Sequence, residues 1–489
     1  MFAESTKRFG GISMGLSFSY NRVDQETVSL LKSAIGENNV SSDEEKLLSY
    51  SHDEVPSSAY EGTHMAELLV FPETAGHVSE IMKIASAKRI PVTPRGAGTG
   101  LSGGALPAFG GIVMSFEKMN RIIELDEKNL TITVEPGVVT SEISKMAAAH
   151  DLLYAGDPCS GDASFIGGNI AENAGGNKVV KYGATGAQVL ALEVVLADGT
   201  ITWFGGKRRK DVTGLDFTHL MAGSEGTLAI ITKAVLKLLP LPRHSADLLA
   251  AFPDPETAIA FVPQIIKKGG IVPASIEFMD QKALSLAEKY LNYPVPAGEA
   301  GAALIIQLEG NDPEILEKEY EKIGNLSKEN GAYEVYVADT RTTKERIWQV
   351  RKAIPEATSF FYSRYTKEDL VVPTDRVPDL LGKIRDICSA ANLEWVTYGH
   401  AGDGNMHCTV IGPPADNWHE VLRGVQEKIY SAVIEMGGTL SGEHGIGFKR
   451  KSDMKLFLDR KQIELIKRVK LAFDPDNILN PGKMVEWDQ

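Results

Sequence analysis

The chain carries the sequence PRGAGTGLSGG at residues 94–104, directly after an apolar segment at 90–93. So much glycine lets several backbone N–H groups point at one place without interference from Cβ atoms, an arrangement that suits a pyrophosphate. The loop contains the pattern G-x-G-x-x-G, but that fingerprint needs a helix to open directly after it. Residues 105–111 (ALPAFGG) have no helical pattern. We therefore predict a self-contained phosphate cradle with Arg95 at its mouth, and disfavour a flexible linker because strands follow at once.

The segments on either side of this loop alternate between strand and helix. A strand at residues 68–72 and a helix at 74–88 lead to the strand that opens the loop. Three further strands are predicted beyond it, and a strand–Asp-Gly–strand hairpin follows at 192–201. A later apolar strand stops at the proline-rich segment 239–242. The pattern changes there, so we place a domain boundary near residue 243.

The second half is predicted to be another α+β unit. Strands and long polar helices alternate from residue 246 to about 339, which favours a sheet with helices on one face. Helices are also predicted at residues 343–357 and 461–473, and the first of them carries Arg351.

Two glycine-rich loops in this half collect histidine and glutamate. The first, GHAGDGNMH, contains His400 and His407, and the second, SGEHG, contains Glu443 and His444. Two histidines and one glutamate form a ligand set that leaves metal positions open, as in hydrolytic zinc sites or non-haem iron sites. The remaining histidine would then be free for proton transfer, since its ordinary pKa lies near neutrality.

Ordinary loop histidines that make hydrogen bonds are the alternative interpretation. Glu443 and His444 are neighbours and would point to opposite faces of a regular strand, so both can serve one site only where the backbone is irregular. The flanking glycines permit such a backbone. Three histidines beside an acid in two tight clusters favour the metal site.

Composition limits the class of protein. The chain has 489 residues, too many for one ordinary core, and a net charge of -14, which argues against nucleic acid or anionic membrane as the main partner. Three scattered cysteines, Cys159, Cys388 and Cys408, build neither a disulfide framework nor an iron–sulfur cluster. The N-terminal segment has no apolar core of a signal peptide, and no apolar run approaches a bilayer span. The expectation is a cytoplasmic protein without a transmembrane segment.

Six motifs occur in order along the chain: PRGAGTGLSGG, IGGNIAENAGG, GSEGTLAI, YGHAGDGNMH, SGEHGIG and FDPDNILNPGK. From about Val70 to Met484 they resemble the flavoprotein family that includes the glycolate oxidase flavin subunit, D-lactate dehydrogenases and D-2-hydroxyglutarate dehydrogenase. The resemblance implies an α+β fold with a vanillyl-alcohol-oxidase-type (PCMH-type) FAD-binding domain in residues 1–243. It further implies an α+β substrate or cap domain with an antiparallel sheet and the metal loops in 244–450. Residues 451–489 would form a C-terminal segment that returns to the FAD domain.

The resemblance also implies roles for single residues. One divalent metal (Zn, Mn or Fe) would be bound by His400, His407 and Glu443, and His444 would be the catalytic base. Substrate binding would involve Arg351, Lys367, His400 and His407. Non-covalent FAD would be bound by Thr93, Arg95, Gly96, Ala97, Gly98, Thr99, Gly100, Leu101, Gly103, Gly104, Pro158, Gly167, Gly168, Asn169, Asn173, Glu225, Ile230 and Asn480.

The implied reaction is metal-assisted oxidation of a small D-2-hydroxy acid to the 2-oxo acid, with hydride transfer to the flavin. Two departures bear on the substrate. Pro355 stands where 2-hydroxyglutarate enzymes tend to have a hydrogen-bonding residue, and acidic residues flank Lys367 at positions 368 and 369. Both favour D-lactate, or next glycolate, over a dicarboxylate such as D-2-hydroxyglutarate.

The chain has no second redox motif, so the family resemblance implies an electron-accepting partner protein, either an electron-transfer flavoprotein or an iron–sulfur subunit. A homodimer stays open. Two other classes remain as alternatives, namely an alkyl-transferring flavoenzyme on the same fold and a non-catalytic flavin subunit of an electron-transfer complex.

Overall fold

The computed structural model describes residues 18–55, 64–412 and 417–487. The first seventeen residues of the polar N-terminal segment therefore lie outside the described part. A mixed four-stranded sheet in the order β1-β2-β4-β3 opens the fold, and β2, β4 and β3 run parallel. Its elements are α1 (Gln25–Ile35), β1 (Val40–Ser41), α2 (Glu44–Tyr50), β2 (Leu68–Val70), α3 (Ala75–Lys88), β3 (Val92–Arg95) and β4 (Ile112–Ser115).

The glycine-rich loop leaves β3 and reaches β4 without forming a helix. This confirms the prediction that it is not a Rossmann turn. The backbone of Gly98 has φ +79°, and a Cβ atom there would overlap the Arg95 guanidinium. Glycine is thus required at that position for both conformation and space.

An antiparallel five-stranded sheet follows, in the order β5-β6-β10-β8-β9. The hairpin predicted around Asp198-Gly199 joins β8 to β9. Its elements, with a short pair formed by β7 and β11, are β5 (Ile122–Asp126), β6 (Thr131–Val134), α4 (Thr140–Ala148), β7 (Leu152–Leu153), α5 (Ile166–Glu172), α6 (Val179–Tyr182), β8 (Val189–Val195), β9 (Ile201–Gly205), α7 (Phe217–Met221), β10 (Ile230–Lys237) and β11 (Leu239–Pro240).

An antiparallel seven-stranded sheet forms the second half, in the order β15-β12-β14-β13-β17-β18-β16. Its elements are β12 (His244–Phe252), α8 (Pro255–Lys267), β13 (Ser275–Asp280), α9 (Gln281–Leu291), β14 (Ala302–Gly310), α10 (Pro313–Glu329), β15 (Glu334–Ala338), α11 (Arg341–Phe361), β16 (Tyr365–Val371), α12 (Val377–Ala390), β17 (Glu394–His400), β18 (Asn405–Ile411) and α13 (Trp418–Glu435).

The prediction of helices on one face of this sheet is wrong. Alternate residues of β12 enter two separate cores, with Leu248 on one side and Leu249 on the other. Helices α8, α10, α12 and α13 cover the first side, and α9 and α11 cover the second. Helix α11 overlaps the helix predicted at residues 343–357, whereas α9, the other helix on the second face, was not predicted.

The C-terminal part carries two more helices, α14 (Met454–Phe457) and α15 (Arg460–Phe473). Beyond them Leu479 pairs with Val92 of β3 in a parallel bridge, and the Asn480 side chain donates to the Gly104 carbonyl oxygen at 3.1 Å. The end of the chain thus packs beside the glycine-rich loop. No helix in the described residues has the length and apolar character needed to cross a membrane.

Candidate active site

One cavity connects the glycine-rich loop to the loop of Glu443 and His444. Residues 94–101 line one end, Glu443 and His444 line the other, and Cys159 lies along the wall. The glycines leave the cavity wall open, since a Cβ atom on Gly168 would have no neighbour within 4 Å. An extended ligand with a pyrophosphate fits this wall, because most of the loop residues that line it are glycine or alanine and leave their backbone groups accessible.

Most of the residues predicted to bind the cofactor line this cavity. Three do not. Thr93 is buried in β3, Gly103 lies against Phe448, and the Asn173 side chain accepts a hydrogen bond from the Gly186 amide at 2.8 Å. The structure adds Asp53, Ser164, Glu172 and Ser224 to the lining. Glu172 and Ser224 lie within the motifs IGGNIAENAGG and GSEGTLAI but were not singled out, and Asp53 and Ser164 lie outside all six motifs.

The three histidines and Glu443 form one cluster, of which Glu443 and His444 line the cavity. Glu443 Oε1 is 3.4 Å from His400 Nε2, 3.2 Å from His407 Nε2 and 3.7 Å from His444 Nε2. The His407 and His444 rings are stacked, with centroids 5.1 Å apart. Since ligand atoms of His400, His407 and Glu443 all lie within 4.8 Å of one another, this set can hold a metal ion.

Strand register brings these side chains together. His400 lies directly opposite Glu277 of β13, and His407 lies directly opposite Asp369 of β16. Each histidine therefore has a buried carboxylate on its Nδ1 side, Glu277 Oε1 at 2.8 Å from His400 and Asp369 Oδ1 at 3.5 Å from His407. Such carboxylates orient metal-binding imidazoles and leave Nε2 for the ion.

A second set of potential ligands, formed by Asp369, His407 and His444, overlaps the first. Asp369 Oδ2 is already occupied, because it accepts hydrogen bonds from the Ser441 hydroxyl and from the amides of residues 442, 443 and 444 at 2.7–2.9 Å. Glu443 Oε1 instead lies close to imidazole nitrogens of His400, His407 and His444. The set with Glu443 is therefore the better metal site.

The imidazoles and carboxylates of the cluster balance each other's charge. Burial raises the pKa of Glu443, but His400 and His407 lower it, and the net pKa lies well below its usual range. Burial lowers the pKa of His400, whereas Glu277 and Glu443 raise it well above neutrality. A proton and a divalent cation compete for the same imidazole nitrogen, so metal binding here would release a proton.

His444 has a different electrostatic environment. Burial lowers its pKa to about 4, and the Asp369 carboxylate only partly opposes that shift. The imidazole is therefore neutral at neutral pH, the state in which it can accept a proton.

Arg351 lies directly behind His400. Its Nε donates to Glu277 Oε2 at 2.9 Å, and its guanidinium carbon is 4.8 Å from the Tyr398 ring centroid. The Nη2 atom is buried and has no hydrogen-bond partner among the described residues. A guanidinium with one free donor suits a carboxylate.

Lys367 is less closely associated with the cluster. It shares a face of β16 with Asp369, two residues along the strand, and its ammonium lies 5.6 Å from the Tyr365 ring centroid. Glu368 points to the other face, where it accepts hydrogen bonds from Tyr430 and Gln426. Asp369 is occupied by the His444 loop. The acidic neighbours of Lys367 therefore say little about the substrate, contrary to the interpretation from sequence.

Glu277 was also missed from sequence. Its position, a charged residue between Ile276 and Phe278 in an apolar strand, is the signal that could have found it, because a buried charge needs a partner.

The fold and the cavity together define a protein that binds a dinucleotide-sized cofactor beside a His/Glu cluster. Residues 66–205 match the model of an FAD binding domain, and residues 241–484 match the C-terminal domain of FAD linked oxidases. Glycolate oxidase subunit GlcD of Bacillus subtilis is 40% identical over 90% of this chain and 93% of its own length. D-lactate dehydrogenase of Anaerostipes hadrus is 35% identical over 96% and 98%, respectively.

The chain therefore belongs to the FAD-linked oxidase family and is an FAD-dependent oxidoreductase of the type of GlcD and D-lactate dehydrogenase. Among solved structures, p-cresol methylhydroxylase superposes with a TM-score of 0.79 at 16% identity, covering 97% of this chain and all of that one. That likeness shows the fold alone. It confirms the predicted PCMH-type α+β architecture, and the family confirms FAD.

Proposed function

We propose that this protein oxidises a small D-2-hydroxy acid to the 2-oxo acid, D-lactate first and glycolate second, with FAD and one divalent metal. The observation that carries the proposal is the single cavity lined by the glycine-rich loop at one end and by Glu443 and His444 at the other. The proton and the hydride of a hydroxy acid leave from one O–H and one adjacent C–H, so base and acceptor must share one space. The names of the relatives support the substrate class.

Each side chain of the cluster has a definite task in this proposal. His400, His407 and Glu443 would hold the metal, which when bound would lower the pKa of the substrate hydroxyl while FAD accepts the hydride. His444 would take the hydroxyl proton at Nε2, the nitrogen that faces Glu443. The free Nη2 of Arg351 would bind the substrate carboxylate and orient it.

The electrons must then leave the flavin. We infer a partner protein, either an electron-transfer flavoprotein or an iron–sulfur subunit, because the name of the GlcD relative is that of a subunit. We also keep the division at residues 243 and 450 as a proposal, supported by the start of β12 at His244.

An anaerobic absorbance trace tests the function. Purified protein is mixed with D-lactate, with and without prior treatment with EDTA. Bleaching of the flavin band that EDTA abolishes and Zn²⁺, Mn²⁺ or Fe²⁺ restores is the expected result. A yellow protein that no hydroxy acid bleaches would refute the proposal and favour a non-catalytic flavin subunit.

D-2-hydroxyglutarate is the second candidate substrate. The observation in its favour is that Glu368 faces away from Lys367 and accepts hydrogen bonds from Tyr430 and Gln426 instead of pairing with that ammonium. Comparison of kcat/KM for D-lactate and D-2-hydroxyglutarate decides between the two substrates.

A further inference from the structure

The segment that carries the base, residues 441–447, is held by one carboxylate from each half of the molecule. Asp369 of the seven-stranded sheet binds its beginning through the four hydrogen bonds described above. Glu225, which lines the cavity at the end of the five-stranded sheet, binds its other end. Glu225 Oε1 accepts the Ile446 amide and Oε2 accepts the Gly447 amide, each at 2.7 Å. His444 lies between the two points of attachment.

Glu225 is itself fixed in an unusual conformation. Its φ of +52° lies in the left-handed region, which residues with a side chain rarely adopt. The backbone is held there by its amide, which donates to Ala171 at 2.8 Å, and by its carbonyl oxygen, which accepts from Asn480 at 2.7 Å. A strained residue that the surroundings hold this firmly is a reason to look for a functional role.

The packing around the segment leaves little room for adjustment. A Cβ atom on Gly445 would overlap Glu172 Oε2 and lie 3.1 Å from Glu225 Oε1, and one on Gly447 would overlap the Ser102 carbonyl. The same Ser102 carbonyl accepts the amides of Phe448 and Lys449, each at 2.9 Å. The base segment therefore lies directly against the cofactor loop.

We propose that Glu225 is a positioning residue: together with Asp369 it fixes the segment 441–447 between the cofactor cavity and the seven-stranded sheet, and so sets where His444 stands relative to the flavin. This inference rests on the proposed role of His444 as base. It differs from the role in FAD binding predicted for Glu225 from the sequence, because the carboxylate is directed at the base segment and both of its oxygens are occupied there.

The test uses the full-length holoenzyme with the substitutions Glu225→Gln and Glu225→Asp. Glutamine keeps the size of the side chain, but only its one oxygen can accept a hydrogen bond from the amides of Ile446 and Gly447. Aspartate keeps the negative charge on a side chain that is shorter by one methylene group. We expect FAD and metal per chain to equal those of the wild type, while the rate constant of flavin reduction falls about 10- to 100-fold, since a displacement of 1 Å costs about 100-fold. The rate constant of flavin reduction in the Asp variant should lie between those of the Gln variant and the wild type.

Hydrogen exchange supplies a readout that does not depend on turnover. Amide exchange of a peptide covering residues 441–450 should be faster in Glu225→Gln, with or without FAD, and unchanged elsewhere. Glu193→Gln is the matched control, because Glu193 is another buried carboxylate, bonded to Thr232 and Lys233, which do not line the cavity. It should alter neither measurement.

Reduction rates per bound flavin equal to the wild type in both Glu225 variants, or unchanged exchange at 441–450, would overturn the proposal. If the Gln variant lost FAD in proportion to its rate, a merely structural or cofactor-binding role would be indicated. If none of the hydroxy acids tested reduced the flavin of the wild type, the proposed function would fail. The exchange measurement would still report whether Glu225 holds the segment 441–447.

Discussion

The two ends of the cavity are built in opposite ways. The cofactor end is rich in glycine, and the segment 94–104 contributes nine of its lining residues. The histidine end consists of ionisable side chains from two strands and one loop, and two of them, His400 and His407, each lie opposite a carboxylate on a neighbouring strand. The first end depends on the absence of side chains, and the second depends on their identity.

This difference indicates which residues the chemistry depends on and which residues FAD binding depends on. A change at the histidine end should stop chemistry and leave FAD bound, because the glycine-rich wall is untouched. A change at the glycine end should weaken FAD binding and leave the metal cluster intact. The predictions below test that separation, beginning with the largest effect.

Replacement of His444 by alanine should give the largest effect. The base is lost while the metal ligands and the glycine wall remain, so flavin reduction should slow by about 10²–10⁴-fold with a normal flavin spectrum. Stopped-flow reduction by D-lactate measures it. The control is His219→Ala, which removes an exposed imidazole that pairs with Asp216 at the surface. A His444 variant that turns over at the wild-type rate would show that the base lies elsewhere.

Removal of the metal should have the next largest effect. The His400→Ala variant and EDTA-treated wild type should both lose about 10²–10³-fold in reduction rate, since polarisation of the substrate by a cation contributes several kcal/mol and each 1.36 kcal/mol is tenfold. Metal analysis and flavin absorbance are measured on the same samples. Loss of FAD together with the metal would contradict the separation of the two ends.

The same contrast explains what the sequence could predict. The glycine loop was predicted correctly as a helix-free cradle because its composition alone determines its behaviour. His400, His407, Glu443 and His444 could be grouped because they lie in two short motifs. The sequence could mark Glu277 as a buried charge but could not name its partner, because the contact with His400, 123 residues away, depends on the register of two strands. The cover of the second sheet face was predicted only in part, because α11 was predicted at residues 343–357 but α9 lay in a stretch that was left unassigned.

Substitution of Glu277 tests that register-dependent contribution. Glu277→Gln keeps the shape but removes the negative charge that His400 and Arg351 share. Loss of such a carboxylate behind a metal-binding histidine typically lowers metal affinity about 10- to 100-fold. Titration of apoprotein with Zn²⁺ and Mn²⁺ measures it, and Asp247→Asn, which removes a buried carboxylate bonded to Gln307 and Trp348, is the control. Equal affinities in the two variants would exclude a role for Glu277 at the metal.

Addition of one methyl group to the glycine wall should have the smallest effect and shows most directly how that end works. In Gly168→Ala the new Cβ meets no protein atom within 4 Å, and the position lies in helix α5, where alanine is favoured over glycine, so the apoprotein should be at least as stable as the wild type. The methyl group instead enters the cavity. Because overpacking by such a group costs about 1–3 kcal/mol and 1.4 kcal/mol is tenfold, the Kd for FAD should rise about tenfold.

Gly310→Ala is the matched control for this change. A Cβ there also has no neighbour within 4 Å, but Gly310 ends β14 and does not line the cavity. It should alter neither Tm nor the Kd for FAD, measured by flavin fluorescence in apoprotein. If Gly168→Ala bound FAD as the wild type does, this stretch of wall would not contact the cofactor. If the Gly168→Ala variant lost its metal as well, FAD binding and metal binding would depend on each other, contrary to the separation of the two ends of the cavity.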